Sequence, residues 1–206
     1  MRRRFLPRVT SGVSAPVLDE ALKSSDPIRT VPYVNADVIA LKMAQAQGYR
    51  TVNELNDKLR YQLELAAGKE ALTQRTALLR ARTSFTLETT ASSRRVLELM
   101  AHAQQQGYHV AVNFLYLPRV ELNLARIAHR VSQGGHNVAE AVVRRRYPRA
   151  ISQIPALLQA ADCFQLIDNS TKPTIVLSKT GSQITLQPQP ELGNKERLER
   201  LLLGIL

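Results

Sequence analysis

The stretch HVAVNFLYL, residues 109–117, decides the fold, because it is almost continuously apolar. A strand of that composition is typical of a parallel sheet, whose two faces are both covered by other elements. Pro118 ends the run, and Val120, Leu124 and Ile127 then follow at helical spacing. The sequence therefore predicts a buried strand that leads into an amphipathic helix.

Further strands and helices alternate on both sides of this pair. Strands are predicted at 30–36, 84–90 and 163–167, and a terminal hairpin at 174–186. Helices are predicted at 38–47, 52–79, 93–106 and 139–147, and Pro148 should end the last of them. Strands that alternate with helices of about ten or more residues indicate βαβ units. We therefore expect an α/β fold with a mostly parallel sheet and a C-terminal β-hairpin.

The length predicts one folded domain with a flanking segment at each end. The chain has 206 residues, against a typical domain size of about 150. Three prolines and a glycine interrupt the N-terminal part, where no strand is predicted. We expect an irregular segment over 1–30 with a short helix near 15–22, a domain over 31–190 and a tail over 191–206.

Composition excludes several classes of protein. An apolar fraction of 44% and a charged fraction of 22% are those of a globular chain and exclude full disorder. Cys163 is the only cysteine, which excludes an internal disulfide framework and a cysteine-rich zinc site. No apolar run approaches the ~18 residues of a membrane span, and the basic start MRRRFLPRVTSG lacks the apolar core of a secretory signal. We therefore expect a soluble, cytoplasmic protein.

The charge balance is strongly basic. Lys and Arg total 28 against 17 acidic residues, for a net charge of +11. Such an excess indicates a polyanionic partner, such as nucleotide phosphates, a nucleic acid or an acidic surface. A solvated basic surface explains it equally well, so composition alone leaves both interpretations open.

Three of the predicted strands end in polar residues. These strand ends are NAD at 35–37, ETT at 88–90 and DNS at 168–170. Parallel sheets bind ligands at the carboxyl ends of their strands. A turn that begins at a strand end explains any one of these segments, whereas three together favour a site.

Asp37 is the candidate general base. A carboxylate just beyond a strand can accept the proton of a substrate hydroxyl during phosphoryl transfer. The alternative is that Asp37 serves only as the N-cap of the helix that follows it. For Glu88, Thr89 and Thr90 the two interpretations are hydrogen bonds to a substrate or a Mg²⁺ shell, and a turn that caps the next helix.

Arginines concentrate between residues 126 and 149, a segment that contains six arginines and one acidic residue. Arg126 and Arg130 share a helix face because they are four residues apart. The run RRR (144–146) follows after a break at GG (134–135). A helix–Gly-Gly–helix segment of this kind predicts a mobile lid that brings guanidinium groups onto a triphosphate. The alternatives are a solvated basic face and an RNA-binding surface, although few aromatic residues interleave for base stacking.

The sequence predicts no metal ligand. Of the four histidines, none has a His, Cys or Asp partner at ligand spacing. His136, beside the glycine pair, is interpreted as a loop residue.

Six segments then follow one another in a specific order. They are VNADVIA (34–40), FTLETT (85–90), FLYLPRVELNLARIAHRV (114–131), QGGHNV (133–138), RRRY (144–147) and IDNS (167–170). Together they resemble the zeta-toxin-like family of P-loop kinases, the branch described as predicted ABC-type ATPases. Order and spacing match over roughly 70% of the chain, and the segment from GGHNV to RRRY is the most specific part. The resemblance implies a three-layer P-loop NTPase-like fold.

The resemblance also implies an ATP-dependent kinase that binds ATP and Mg²⁺ and phosphorylates a hydroxyl of a small anionic substrate. Zeta toxins phosphorylate a sugar hydroxyl of uridine diphosphate-N-acetylglucosamine, so a nucleotide sugar is the expected substrate. An antitoxin protein is a candidate partner, and a nucleic acid is not favoured.

Site roles follow from the same resemblance. It implies that Asp37 is the catalytic base and that Arg130 and one of Arg144 to Arg146 stabilise the transferring phosphoryl group. Of these three we expect Arg145 to take that role. The other implied site residues are Asn35, Glu88, Thr89 and Thr90 for the substrate, and Arg126, Arg144, Arg146 and Asn169 for the nucleotide.

One part of the family pattern is absent from this sequence. The family begins with a strand and GxxxxGK[ST], whose backbone N–H groups and lysine hold the phosphates. Here Gly12 is the only glycine before Gly48, and Lys23-Ser24 has no glycine in front of it. We therefore expect the first strand and the phosphate loop to be missing or remodelled, and the chain to have little or no kinase activity.

Two explanations of this departure stay open. In the first, RRRFLPRV resembles the helix that normally follows the loop, and the strand and loop lie upstream of Met1. In the second, the N-terminus has diverged in a pseudokinase. In either case a missing central strand would leave sheet N–H and C=O groups unpaired. The alternative functions are a non-catalytic remnant that binds nucleotide or RNA, and a toxin–antitoxin component silenced by a lesion.

Overall fold

The computed structural model describes residues 3–10, 31–133, 135 and 137–187, and seven strands within these ranges form one sheet. The strands are β1 (Arg3–Thr10), β2 (Tyr33–Val34), β3 (Phe85–Thr89), β4 (Tyr108–Tyr116), β5 (Cys163–Asp168), β6 (Thr174–Thr180) and β7 (Gln183–Leu186). Their order across the sheet is β2-β3-β1-β4-β5-β6-β7. The first five strands in that order run parallel, and β6 and β7 are antiparallel. The predicted α/β fold with a C-terminal hairpin is confirmed.

Six α-helices and a short 3₁₀ turn occur in the same described ranges. They are α1 (Ala36–Ala46), the 3₁₀ turn (Val52–Glu54), α2 (Asp57–Arg80), α3 (Arg95–Gln105), α4 (Val120–Ser132), α5 (Glu140–Ser152) and α6 (Ile154–Ala160). The helix predicted over 52–79 is therefore divided. Asn56 causes the division, because its side chain accepts a hydrogen bond from the Leu59 N–H and so caps a new helix. No described helix has the length and apolar character that crossing a membrane requires.

Pro148 does not end α5, and that prediction is wrong. The helix continues through the proline to Ser152. A proline inside a helix loses one backbone hydrogen bond. The residues beyond it, Ala150 and Ile151, are buried in the main core, and this packing favours continuation over a break.

The first strand is present, which corrects the expectation that it is missing and that residues 1–30 are irregular throughout. β1 lies in the middle of the sheet and pairs in parallel with β3 on one side and β4 on the other. RRRFLPRV is therefore mainly strand and not a helix. Arginines and a proline are uncommon in central strands, so the sequence pattern does not predict a strand here. The pairing with β4 skips Leu6 and Pro7. The predicted short helix near 15–22, the region of the phosphate loop and the tail over 191–206 lie outside the described residues.

The main core is built from the middle of the sheet and the helices packed on it. Phe85, Phe114 and Phe164, from three different strands, are fully buried. The rings of Phe85 and Tyr108 meet edge to face with centroids 6.2 Å apart. A second, smaller cluster joins α1 to the 3₁₀ turn and the first half of α2. The described residues therefore contain two hydrophobic clusters, one on the sheet and one around α1.

The strand order shows where a ligand can bind. The chain passes from β1 to β2, which lies on the β3 side of β1. The connection from β3 to β4 instead crosses β1 to its other side. The crevice in such sheets opens at the carboxyl ends of the strands where these connections diverge. The ends of β2, β3, β4 and β5 border that edge, and the chain directly after β1 lies outside the described residues.

Candidate functional site

Asn35 joins the ends of β2 and β3. Its Oδ1 accepts hydrogen bonds from the backbone N–H groups of Asp37 (2.8 Å) and Val38 (3.3 Å), so it is the N-cap of α1. Its Nδ2 donates to the Tyr33 hydroxyl (2.8 Å) and to Oε2 of Glu88 (2.7 Å). Tyr33 donates to the same carboxylate oxygen. Because every polar atom of the Asn35 side chain is engaged, its local role is to orient Glu88 and start the helix.

Asp37 lies in the first turn of α1, with an exposed side chain. The alternative that it serves only as the N-cap is wrong, because Asn35 occupies that position. The carboxylate forms no hydrogen bond or ion pair with any described residue. It therefore stands at the carboxyl edge of the sheet with its oxygens available, and its role as base stays a prediction.

Thr89 and Thr90 form a local turn. The Oγ1 of Thr89 accepts a hydrogen bond from the Ala91 N–H (3.2 Å), and the hydroxyls of Thr90 and Ser92 lie 3.1 Å apart. Ala91 has a φ of +46°, which is uncommon for a residue with a side chain. Gln153 holds the turn by donating to the Ala91 carbonyl (2.9 Å). These contacts favour the turn interpretation, and substrate binding by the two threonines stays a prediction.

Arg126 fastens α4 to the end of β5. Its Nη2 donates to the carbonyl oxygens of Asn169 and Ser170, the latter at 3.4 Å. Burial lowers the pKa of Arg126, and the nearby charge of Asp168 opposes that shift. The Oδ1 of Asp168 accepts a hydrogen bond from the Ser170 N–H (2.7 Å). Arg126 therefore supports the DNS loop, and nucleotide contact by this arginine is a prediction.

Two buried carboxamides lie beside this junction. Asn169 and Asn123 are each 1% exposed, and neither side chain makes a hydrogen bond within the described residues. Asn123 lies one turn before Arg126 on α4. Buried carboxamides almost always have hydrogen-bond partners in folded proteins. A carboxamide can both donate and accept hydrogen bonds, and nucleotide contact by Asn169 stays a prediction.

Arg130 is packed against the glycine segment that connects α4 to α5. The Gly135 N–H donates to the Arg130 carbonyl (2.8 Å). A Cβ at Gly135 would lie 2.4 Å from Cγ of Arg130, so only glycine allows this approach. Asn53, in the 3₁₀ turn, donates to the Gly135 carbonyl (2.6 Å). Because that turn packs on α1, this bond ties the Arg130 segment to the helix that carries Asp37.

The three consecutive arginines of α5 have different surroundings. Arg144 bonds to Glu140 (2.7 Å) and to Glu121 of α4 (3.2 Å), so it joins the two helices. A backbone hydrogen bond and the Arg144 guanidinium hold the pKa of Glu121 below its ordinary value. Arg145 and Arg146 are exposed, and neither bonds to a described residue. Their roles on phosphate stay predictions.

Tyr147, directly after these arginines, fixes the base of α5. Its hydroxyl donates to the Leu117 carbonyl (2.8 Å), just beyond the end of β4. The half-buried ring also packs against the main core. Tyr147 therefore attaches the arginine run to the end of β4.

Metal-binding groups do not converge in this part of the chain. No set of three or more His, Cys, Asp or Glu side chains is close enough to hold a metal among the described residues. His136 lies outside the described residues.

Sequence reasoning missed the contacts of five residues that organise the site, although Gly135 belongs to the predicted helix–Gly-Gly–helix segment and Tyr147 to the RRRY segment. Asn53 and Gly135 are far apart in the chain, and a hydrogen bond between them leaves no sequence signal. Asn123 interrupts the apolar stripe of α4, which is a signal that could have been used. The other two are Tyr33 and Tyr147.

A related protein was found by sequence, although no family model matches the chain. An uncharacterized protein of Haemophilus influenzae is 30% identical over 118 residues, which cover 57% of this chain and 82% of that protein.

Solved structures show the same fold. The AvrRxo1-ORF1:AvrRxo1-ORF2 complex with sulphate ions gives a TM-score of 0.70 at 16% identity, and the complex with ATP gives 0.64. This chain is covered completely in both comparisons but spans only 65% of the length of the AvrRxo1 chain. The PezAT chromosomal toxin–antitoxin system of Streptococcus pneumoniae gives 0.61 at 12% identity, over 86% of this chain and 72% of that one. The predicted P-loop NTPase-like fold is confirmed.

Proposed function

We propose that this chain, which belongs to the same family as the Haemophilus influenzae protein, acts in phosphoryl transfer from ATP. The support for this activity is its fold, which is similar to that of the AvrRxo1 and PezAT structures. The acceptor is a hydroxyl of a small anionic substrate, and a nucleotide sugar such as uridine diphosphate-N-acetylglucosamine is the first candidate. One of the AvrRxo1 structures contains ATP, which supports a nucleotide as the donor.

The observation that carries this proposal is the link from Asn53 through Gly135 to Arg130. It fastens the arginine-bearing segment to the unit that contains α1, and Asp37 lies in the first turn of that helix. This link supports the proposal that a base, Asp37, and a phosphate-binding cation, Arg130, act at one site. Phosphoryl transfer needs these two groups on either side of the reacting phosphorus.

The proposed chemistry follows from this arrangement. Asp37 accepts the proton of the substrate hydroxyl while the hydroxyl oxygen forms a bond to the γ-phosphorus, and the bond to the leaving ADP oxygen breaks. Arg130 and Arg145 stabilise the charge on the equatorial phosphoryl oxygens. Glu88, held by Tyr33 and Asn35, accepts a hydrogen bond from the substrate.

The sequence also sets the expected rate. Without GxxxxGK[ST], the chain lacks the lysine that contacts the β- and γ-phosphates and the hydroxyl that holds Mg²⁺. We therefore propose weak ATP binding and little turnover.

The test measures ATP binding with a fluorescent nucleotide, and phosphorylation of uridine diphosphate-N-acetylglucosamine with radiolabelled ATP. We expect weak binding, and slow transfer that Asp37→Asn abolishes without loss of nucleotide binding. Asp57→Asn, which removes an exposed acid from the first turn of α2, is the matched control and should leave transfer unchanged. Transfer that survives Asp37→Asn would refute the role of Asp37.

The second candidate is a binding remnant without catalysis. The missing phosphate motif favours it, together with the concentration of arginine between residues 126 and 149. This candidate predicts RNA binding that weakens steeply with salt, because Arg–phosphate contacts release counterions. RNA binding without ATP binding would select this candidate over the kinase.

An antitoxin is the proposed protein partner. The similar AvrRxo1 structures contain both ORF1 and ORF2, and PezAT is a toxin–antitoxin system. Co-purification with the product of an adjacent reading frame tests this proposal, and a chain that purifies alone when both are expressed would contradict it.

A further inference from the structure

A groove of about 570 Å³ lies between α2 and α3, away from the residues proposed for phosphoryl transfer. Apolar and cationic side chains line it in comparable number. The apolar ones are Leu72, Leu79 and Leu99, and the cationic ones are Arg75, Arg80 and Arg95. Two of these leucines, Leu79 and Leu99, belong to the main core, whereas Leu72, Arg80 and Arg95 are exposed. The groove therefore joins the edge of the core to a cationic surface.

The described residues do not neutralise the three arginines of the groove. None of their side chains has an ion-pair or hydrogen-bond partner among the described residues, and Glu98 is the single acid in the lining. Arg75 is half-buried, its Nε is shielded from solvent without a hydrogen bond, and burial lowers its pKa. A half-buried guanidinium of this kind is stabilised by an anionic partner.

The groove continues into an exposed apolar stripe along α2. Of the six large hydrophobic side chains that are exposed within the described residues, three lie on this helix: Tyr61 at 68%, Leu65 at 50% and Leu72 at 51%. At 100° per residue these three share one face with Leu79, whose side chain reaches into the groove. Single exposed apolar residues are ordinary, whereas several that share one helix face favour an interaction surface. From residue 61 to residue 80 the surface is about 28 Å long.

Gly68 interrupts this stripe between Leu65 and Leu72. A Cβ built there would meet nothing within 4 Å, so the fold does not need a glycine. A glycine inside a helix costs about 1 kcal/mol relative to alanine. Its effect on the surface is a notch in the apolar row, where another backbone can approach closely. The presence of glycine at this position is therefore explained by contact with another molecule and not by the packing of this chain.

We propose that this surface, made of the α2 stripe and the α2–α3 groove, binds an acidic amphipathic helix of a partner protein. The apolar face of that helix covers Leu65 and Leu72, its backbone crosses at Gly68, and its carboxylates pair with Arg75, Arg80 and Arg95. The length matches a helix of five turns. The inference is independent of the proposed phosphoryl transfer.

Charge and shape favour this occupant over others. A second copy of the chain would bring the same three arginines near one another and add repulsion. A nucleic acid would use the arginines but gain little from a row of leucine side chains. A concave groove also suits a helix better than the flat surface of a membrane.

The experiment uses the full chain and two synthetic 18-residue amphipathic helices with the same leucine positions. One carries glutamate on its flanking positions and the other lysine. Fluorescence anisotropy should show at least tenfold tighter binding of the glutamate peptide. Equal binding of both peptides, or binding of neither, overturns the proposal.

Two variants locate the binding. Gly68→Leu fills the notch where there is open space, so it should keep or raise the unfolding midpoint while weakening the glutamate peptide at least tenfold. Arg75→Glu/Arg95→Glu should reverse the preference between the peptides, whereas Lys42→Glu on α1 should not. Unchanged binding in the first two variants overturns the proposal.

Two further measurements identify a wrong occupant. Binding to vesicles of phosphatidylcholine with phosphatidylserine, abolished by Gly68→Leu, would assign the surface to a membrane instead. Dimerisation at micromolar concentration, abolished by the same change, would assign it to a second copy. Either result overturns the partner helix.

Discussion

Lys179 offers the clearest test of how the hairpin is attached to the helices. The side chain extends from β6 and donates to three carbonyl oxygens: those of Leu158 (2.7 Å), Gln159 (2.9 Å) and Ala161 (2.7 Å). These carbonyls belong to the last turn of α6 and to its C-cap Ala161, where no helical N–H is available for them. Lys179→Met keeps most of the aliphatic stem but removes the ammonium group.

The expected loss follows from these contacts. Each hydrogen bond contributes about 0.5–1.5 kcal/mol net, so three give at most about 4.5 kcal/mol. A cation at a helix C-terminus adds about 0.3–1 kcal/mol from the helix dipole. Water can replace the ammonium at Gln159, which is exposed, but less well at Leu158 and Ala161, which are buried. We expect Lys179→Met to lower the free energy of unfolding by about 2 kcal/mol.

Urea unfolding followed by far-UV circular dichroism measures this loss. Lys172→Met is the matched control, because Lys172 is exposed and its ammonium has no partner in the described part of the chain. Lys179→Arg should recover part of the stability. If Lys179→Met and Lys172→Met agree within about 0.5 kcal/mol, the three bonds do not stabilise the fold and the reasoning fails.

Three shorter predictions concern the site. Gly135→Ala should cost about 1–3 kcal/mol in urea unfolding, because the new Cβ must displace the Arg130 side chain; an unchanged midpoint would contradict the close approach. Tyr147→Phe should cost about 1 kcal/mol in thermal unfolding through loss of its bond to the Leu117 carbonyl, and no loss would show that water replaces it. The lowered pKa of Glu121 stabilises the fold above its ordinary value of 4.5, and this effect is lost as pH falls through the lower folded value. The stability difference between the wild type and Glu121→Gln should therefore shrink on acidification, and a difference independent of pH would contradict it.

Much of the fold could be predicted from sequence because its signals are local. The apolar run that became β4, the alternating pattern of the hairpin and the helix stripes all reflect burial of one face or both. β1 could not be predicted in this way. Its arginines and Pro7 are unfavourable in a central strand, and it forms because β3 and β4 offer hydrogen-bond partners on both sides.

The candidate site likewise has features that the sequence predicts and features that it does not. The positions of Asp37 and Glu88 at strand ends follow from the order of elements, so they could be predicted. The contact between Asn53 and Gly135 joins residues that are distant in sequence, and only the folded chain brings them together. The hydrogen bonds of Asn35 to Tyr33 and Glu88 likewise depend on the folded arrangement of β2 and β3 and could not be predicted.

The central position of β1 has a consequence for how the molecule assembles. Phe5 is in register with Phe85 on one side and Val110 on the other, so the earliest strand must find partners made much later in synthesis. Until it docks, β2 with β3 and the four strands from β4 onward are two separate ribbons, each with an open edge. Such long-range closure is slow, and a nascent chain with both edges exposed is prone to aggregate. Deletion of residues 3–10 would therefore divide the sheet in two.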